Sequence, residues 1–125
     1  MTCQSLAYLC RHTISEFLRT RQRLNVRVLV AGWNNVENRP LLFWLDHVGA
    51  LQQSEFASHG QGFSFILSLL DRNNQMNALN SLTIVESFDI INRCWSSVRK
   101  RSTSNADKCA VKAVQSSGCV DFGTV

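Results

Sequence analysis

Two short runs, Val26-Arg-Val-Leu-Val-Ala-Gly-Trp33 and Leu41-Leu-Phe-Trp-Leu45, are apolar at odd and even positions alike. In a strand successive side chains point to opposite faces, so such runs ask for cover on both faces. Val26, Val28 and Val30 point one way, Leu29 and Ala31 the other. Any fold containing them must bring a second layer to each side. Between them, Asn34-Asn-Val-Glu-Asn-Arg-Pro40 reads as a turn in which proline bars further ladder pairing. Asp46-His-Val-Gly49 reads as a tight turn into a shorter, more polar strand, Ala50 to Gln53. The three strands form an antiparallel meander.

The covering material lies on either side in the chain. Leu6, Cys10, Thr13 or Ile14, and Phe17 share one face of a helix expected from about residue 4 to 21. After the strands, Phe63, Ile66, Leu67 and Leu70 follow the i, i+3, i+4, i+7 spacing of a helix of about three turns. Asp71-Arg72 closes it, with Asn73-Asn74 as a stop signal and a polar loop from Asn73 to Asn80. Thr83 and Glu86 fit a capping box, opening a helix whose stripe is Ile84, Phe88, Ile91, Trp95 and Val98 through Arg99. A polar linker, Arg101 to Asp107, precedes a hairpin of Cys109–Val114 and Cys119–Phe122 around Gln115-Ser-Ser-Gly118. The order helix, three strands, two helices, two strands looks like half of a layered α/β sandwich.

Composition narrows the class. With 125 residues, 45% apolar and 18% charged, the chain is globular rather than disordered. The net charge is +4, and the arginines gather in two short runs, Arg19-Thr-Arg-Gln-Arg23 and Arg99-Lys-Arg101. Both runs end helical patterns, where cations favour the helix dipole. Five cysteines at 3, 10, 94, 109 and 119 form no Cys-x-x-Cys pair, and His12, His47 and His59 are scattered without ligand spacing. The cysteines are expected to be reduced, buried and structural in a cytosolic or nuclear protein, with no metal or other cofactor. The start lacks a signal-peptide pattern, and no apolar run approaches a membrane span.

The chemistry-bearing stretch is Gly60-Gln61-Gly62, which leads directly into the second helix. Glycines there mean a sharp bend or a close approach, and a helix start presents unpaired N–H groups. Two readings follow: a strand-to-helix turn with tight packing, or a loop that holds an anion or a developing charge.

Taken jointly, these features resemble the proteasome beta-subunit family, a branch of the N-terminal-nucleophile hydrolases. The resemblance rests on Val-Leu-Val-Ala-Gly-Trp33, Pro-Leu-Leu-Phe-Trp-Leu-Asp46, Gly-Ala50, Phe-Ala-Ser-His-Gly-Gln-Gly62 and Leu-Leu-Asp-Arg72, followed by a second amphipathic helix and a hairpin. It spans about residues 5 to 125. The form Phe-Ala-x-His-Gly-x-Gly is similar to the beta type-4 class, which carries no catalysis. The resemblance implies an α/β (α+β) four-layer αββα sandwich, of which residues 1–125 supply the later part as a single incomplete domain.

It also implies which residues stand at the family's active-site positions. Gln61 replaces the serine that supports the nucleophile in active members, and Phe63 replaces a second serine. Ser102 replaces an aspartate and Asn105 a serine in the run after the fourth helix. The threonine-headed strand, with its aspartate and lysine, has no counterpart here. Thr2, exposed if Met1 were removed, leads into a helix pattern and is expected to be a frayed helix terminus rather than a nucleophile. The resemblance thus implies a non-catalytic subunit of the 20S proteasome core. Its partners would be other beta subunits in a seven-membered ring, the opposite beta ring and an adjacent alpha ring, in cytoplasm and nucleus. The alternatives are an active threonine peptidase subunit and a small basic module binding nucleic acid or protein. Sheets lacking partner strands would expose apolar faces, so the chain alone is not expected to fold.

Overall fold

Thr2 has extended backbone (φ −83°, ψ 161°), and its Oγ1 accepts the Ser5 N–H at 3.1 Å. That is an N-cap, and it starts helix α1, Cys3–Arg19. The expected frayed terminus is therefore capped. The structure, a computed structural model, describes residues 1–60, 62–76, 82–101 and 108–124. After α1 come β1 (Val28–Asn34), β2 (Arg39–Leu45), β3 (Leu51–Gln53), α2 (Phe63–Met76), α3 (Ile84–Arg101), β4 (Ala110–Gln115) and β5 (Gly118–Thr124). The chain is α/β, in the order expected. It divides into two compact units, Met1–Ala57 with Val114–Val120, and Ser58–Ala113 with Asp121–Val125.

In the first unit β1, β2 and β3 form an antiparallel sheet in that order. Val28 pairs with Leu45, Val30 with Phe43 and Gly32 with Leu41, which puts these residues on one face. Ala7 and Ile14 of α1 pack there, closing a core with Val30, Leu41, Phe43 and Leu45. Ala7 and Leu45 are wholly buried. Burying a Leu or Phe side chain contributes about 1.5–3 kcal/mol, so this one face carries most of the unit's apolar stabilisation.

The opposite face differs from expectation. Leu29 is 41% exposed and Ala31 is exposed, with Leu42 and Trp44 half-buried. Apolar parity on both sides of β1 thus does not translate into cover on both sides. Val26 is also exposed, ahead of the strand.

Pro40 does not end the ladder, as it pairs with Trp33, and the strands run on to Asn34 and Arg39. The reason is topological: β3 reaches only as far as Phe43, so one edge of β2 is open at Pro40 and a missing N–H is tolerated there. The turn is held by Asn34 Oδ1, which accepts from Val36 N and Glu37 N. Asp46 does the same for the next turn, its Oδ1 accepting from Val48 N and Ala50 N at 3.0 and 2.8 Å.

The seating of α1 also departs from the expected stripe. Leu6 and Phe17 are 40% and 37% exposed, and the buried line is Cys3, Ala7, Cys10 and Ile14. Smaller residues allow a closer approach. Cys3 lies against Gly32 so tightly that a Cβ on Gly32 would come within 2.5 Å of Cys3 Cβ and 2.9 Å of its Sγ.

In the second unit the Thr83–Glu86 capping box forms as expected. Glu86 Oε2 accepts from Thr83 N at 3.0 Å, and Thr83 Oγ1 accepts from Glu86 N at 3.3 Å. Helix α2 does not stop at Asn73-Asn74 but runs to Met76. The Asn73 side chain supports the continuation, donating to the Leu69 carbonyl at 2.7 Å. Strands β4 and β5 make the expected hairpin, with Lys112 Nζ 3.9 Å from Asp121 Oδ1 across it. Cys119 is exposed rather than buried, while Cys94 is buried and the other three are half-buried; all five are free thiols.

The Cys3–Gly32 contact generates a test. Gly32→Ala should destabilise the native protein by about 1–3 kcal/mol through overpacking. Adding Cys3→Gly should recover most of that loss, read as coupling in a thermal-unfolding double-mutant cycle. Simple additivity of the two losses would contradict the contact.

Candidate functional site

The bend at the start of α2 is built by its two glycines. Gly60 has φ +94° and Gly62 φ +74°, both in the left-handed region that side chains disfavour by about 1–2 kcal/mol. Phe63 N donates to the Gly60 carbonyl at 3.3 Å and Ile66 N to the Gly62 carbonyl at 3.1 Å. The turn therefore passes straight into helical hydrogen bonding. The preceding Ser58 is buried and His59 half-buried, so the approach to the bend is fixed.

The two glycines have different surroundings. A Cβ on Gly60 would meet nothing within 4 Å. On Gly62 it would meet Val98 Cγ1 at 3.2 Å and Cγ2 at 3.3 Å. Val98 is one of the two buried residues of α3. Gly62 is thus the point at which α3 presses on the start of α2. Below it, at i+4, i+7 and i+11, stand the half-buried Ile66, Leu69 and Asn73. Of the expected stripe Ile66 and Leu70 are half-buried, while Phe63 is 41% and Leu67 39% exposed. On α3 the expected stripe is partly kept: Val98 is buried and Phe88 and Trp95 half-buried, with Cys94 buried as well, while Ile84 and Ile91 are exposed at 46% and 38%.

The end of α3 lies at this end of the pair. The Arg101 guanidinium stacks over the Phe65 ring, 5.2 Å from its centroid, a cation–π contact between the last turn of α3 and the first of α2. Arg99, Lys100 and Arg101 also stand where the α3 dipole is negative. The expected site residues Gln61, Ser102 and Asn105 lie outside the described residues. Their described neighbours, Gly60, Gly62 and Arg101, share one end of the helix pair. Sequence reading missed the Gly62–Val98 and Arg101–Phe65 contacts, since a glycine gives no apolar signal and a terminal arginine reads as a dipole partner.

The chemistry available at the described residues is that of a packed turn. Burial raises the Cys94 thiol above its ordinary value, which keeps it protonated, and does the same to Cys3 on α1. The Thr2 hydroxyl is committed to capping α1 and lies 2.7 Å from Ser5 Oγ. Among the described residues no group of His, Cys, Asp and Glu is placed to hold a metal ion. Among them, too, no helix is long and apolar enough to cross a membrane.

The different surroundings of the two glycines can be measured. Gly62→Ala should cost about 2–3 kcal/mol, from backbone strain plus the clash with Val98, and Gly60→Ala only about 1 kcal/mol. Val98→Ala should relieve the clash in the Gly62→Ala chain but not the backbone strain. Thermal unfolding of the native protein checks this, and equal losses at the two glycines would contradict it.

Comparison with known proteins identifies the family. Residues 1–114 match the family described as "Proteasome subunit". The chain is 28% identical over 94% of its length to "Probable proteasome subunit beta type-4" of Neurospora crassa, covering 56% of that protein. It is 25% identical over 92% of its length to "Proteasome subunit beta type-4" of Saccharomyces cerevisiae, again covering 56%. "Proteasome subunit beta type-2" of Trypanosoma brucei brucei is 29% identical over 94% of the chain, covering 59% of that relative. The chain spans a little over half the length of these relatives. With the family match running from α1 through most of β4, this chain belongs to the proteasome subunit family.

Proposed function

We propose that the protein is a non-catalytic beta subunit of the 20S proteasome core, of the beta type-4 class, serving protein degradation through assembly of the particle. The observation that carries this reading is similarity across 94% of the chain to a relative named a beta type-4 subunit. The non-catalytic part rests on residue identity: Gln61, Ser102 and Asn105 stand where, by the resemblance, active members of the family carry serine, aspartate and serine. The packed bend between Gly60 and Gly62 is in keeping with it, because Val98 gives Gly62 a structural reason to be glycine.

The same reading extends to architecture and partners. The one-sided sheet of the first unit and the helix pair of the second would be parts of a four-layer αββα sandwich. Apolar residues on the helix flanks, such as Leu9 at 49% and Val85 at 79% exposure, suit a protein that works inside an assembly. The neighbours would be other beta subunits in a ring, the facing beta ring and an alpha ring, in cytoplasm and nucleus.

A covalent threonine-directed probe tests the catalytic assignment. Applied to assembled cores carrying a tagged copy of this protein, it should label other subunits and leave this one unlabelled. Labelling of this chain at a threonine would overturn the assignment.

A further inference from the structure

We propose that the arginine strip at the foot of α1, Arg19, Arg21, Arg23 and Arg27, is a docking surface for an acidic segment of a partner protein. Charge distribution is the first observation. The opening 27 residues hold five arginines and one glutamate, a surplus of +4 that equals the formal net charge of the entire chain. The rest of the sequence is balanced in total, its second basic run, Arg99-Lys-Arg101, being offset by carboxylates elsewhere. Glu16 is the single carboxylate before Glu37, and it faces away from the strip, its Oε1 lying 3.4 Å from His12 Nε2.

Local structure is the second. Thr20 N donates to the Glu16 carbonyl and Arg21 N to the Leu18 carbonyl, which ends α1. Arg21 then takes φ +63°, a left-handed conformation unusual for a side-chain-bearing residue. The chain leaves the helix at this point, and Gln22 to Arg27 has neither helix nor strand structure. All four arginines are exposed. Among the described residues no carboxylate lies within ion-pair distance of Arg19, Arg21 or Arg23. The helix dipole accounts for Arg19, but its effect fades within the last turn, so Arg21 and Arg23 need another reason.

The chemistry of the strip selects the partner. It contains arginine and no lysine. The guanidinium fork matches planar oxyanions in two-point contacts that an ammonium cannot make. Phosphate and carboxylate share that geometry, and two features favour carboxylate on protein. No aromatic residue occurs between Phe17 and Trp33, so bases would find no stacking platform. Half-buried Leu24 and 40% exposed Val26 interrupt the charges with apolar spots, which suit a mixed peptide better than a phosphate backbone.

The test uses the native protein, purified from its own cells with the complexes it forms. Arg21→Lys and Arg23→Lys keep the charge and introduce amines that a carbodiimide can join directly to carboxylates. Mass spectrometry should find these positions linked to Asp or Glu within an acidic segment of another chain. In parallel, Arg19→Gln, Arg21→Gln and Arg23→Gln together should lower recovery of that chain about tenfold, the combined effect of three modest ion pairs. Links confined to the protein's own carboxylates, no links, or unchanged recovery in the triple variant would each overturn the proposal. So would co-purifying RNA released by the triple variant. A link to an acidic segment outside any proteasome particle would leave the docking surface standing while removing the functional reading above.

Discussion

Close approach through small residues is what the rest of the structure depends on. Cys3 rests on Gly32 at a distance that leaves no room for a Cβ, and Ala7 beneath it is wholly buried. Val98 lies against Gly62 less closely, 3.2 and 3.3 Å from where a Cβ would stand, so that a side chain there would force a shift of a few tenths of an ångström. Packed interiors have no slack at such points, so each contact fixes both the depth and the rotation of a helix. For α1 the buried line becomes Cys3, Ala7, Cys10 and Ile14. On α2, where no residue is fully buried, Ile66, Leu69, Leu70 and Asn73 are half-buried below Gly62. The larger apolar residues, Leu6, Phe17, Phe63 and Leu67, are displaced to the flanks.

This explains which parts of the fold were legible in the sequence. Element order was, because it depends on periodicity and turn chemistry that act locally. The Thr83–Glu86 capping box, the Asp46 turn and the two-residue turn of the last hairpin all formed where their residue types required. Helix rotation was legible only in part: Cys10, Ile14, Ile66, Leu70, Phe88, Trp95 and Val98 are buried or half-buried as the pattern asked, and Leu6, Phe17, Phe63 and Leu67 are not. Periodicity weights a side chain by its hydrophobicity, whereas packing depth rewards the absence of a side chain. Phe17 and Leu6 outvoted Ala7 and Cys3 in the pattern and lost in the structure. Pro40 misled for a different reason: whether a ladder tolerates proline depends on whether a third strand reaches that position, a fact outside local sequence.

The candidate site follows the same division. Two glycines before a helix correctly marked a bend, since both occupy left-handed backbone. What the bend is for could not be read from spacing. A glycine needed by a ligand and one needed by Val98 look alike in one sequence, and coordinates were required to find the valine. The proposed non-catalytic role draws on the identities of Gln61, Ser102 and Asn105, which lie outside the described residues. The family match supports a proteasome subunit, and the described bend gives Gly62 a packing role against Val98.

The central claim, that the protein is a structural member of the proteasome core, is tested most directly by weighing the particle. Cores purified from the source cells can be dissociated and their subunits identified by intact mass and peptide sequence. The proposal predicts that peptides from α1 to β5 of this chain occur together in one subunit, present in equal amount with the other beta subunits. Recovery of cores with a full complement of beta subunits that lack these peptides would contradict it.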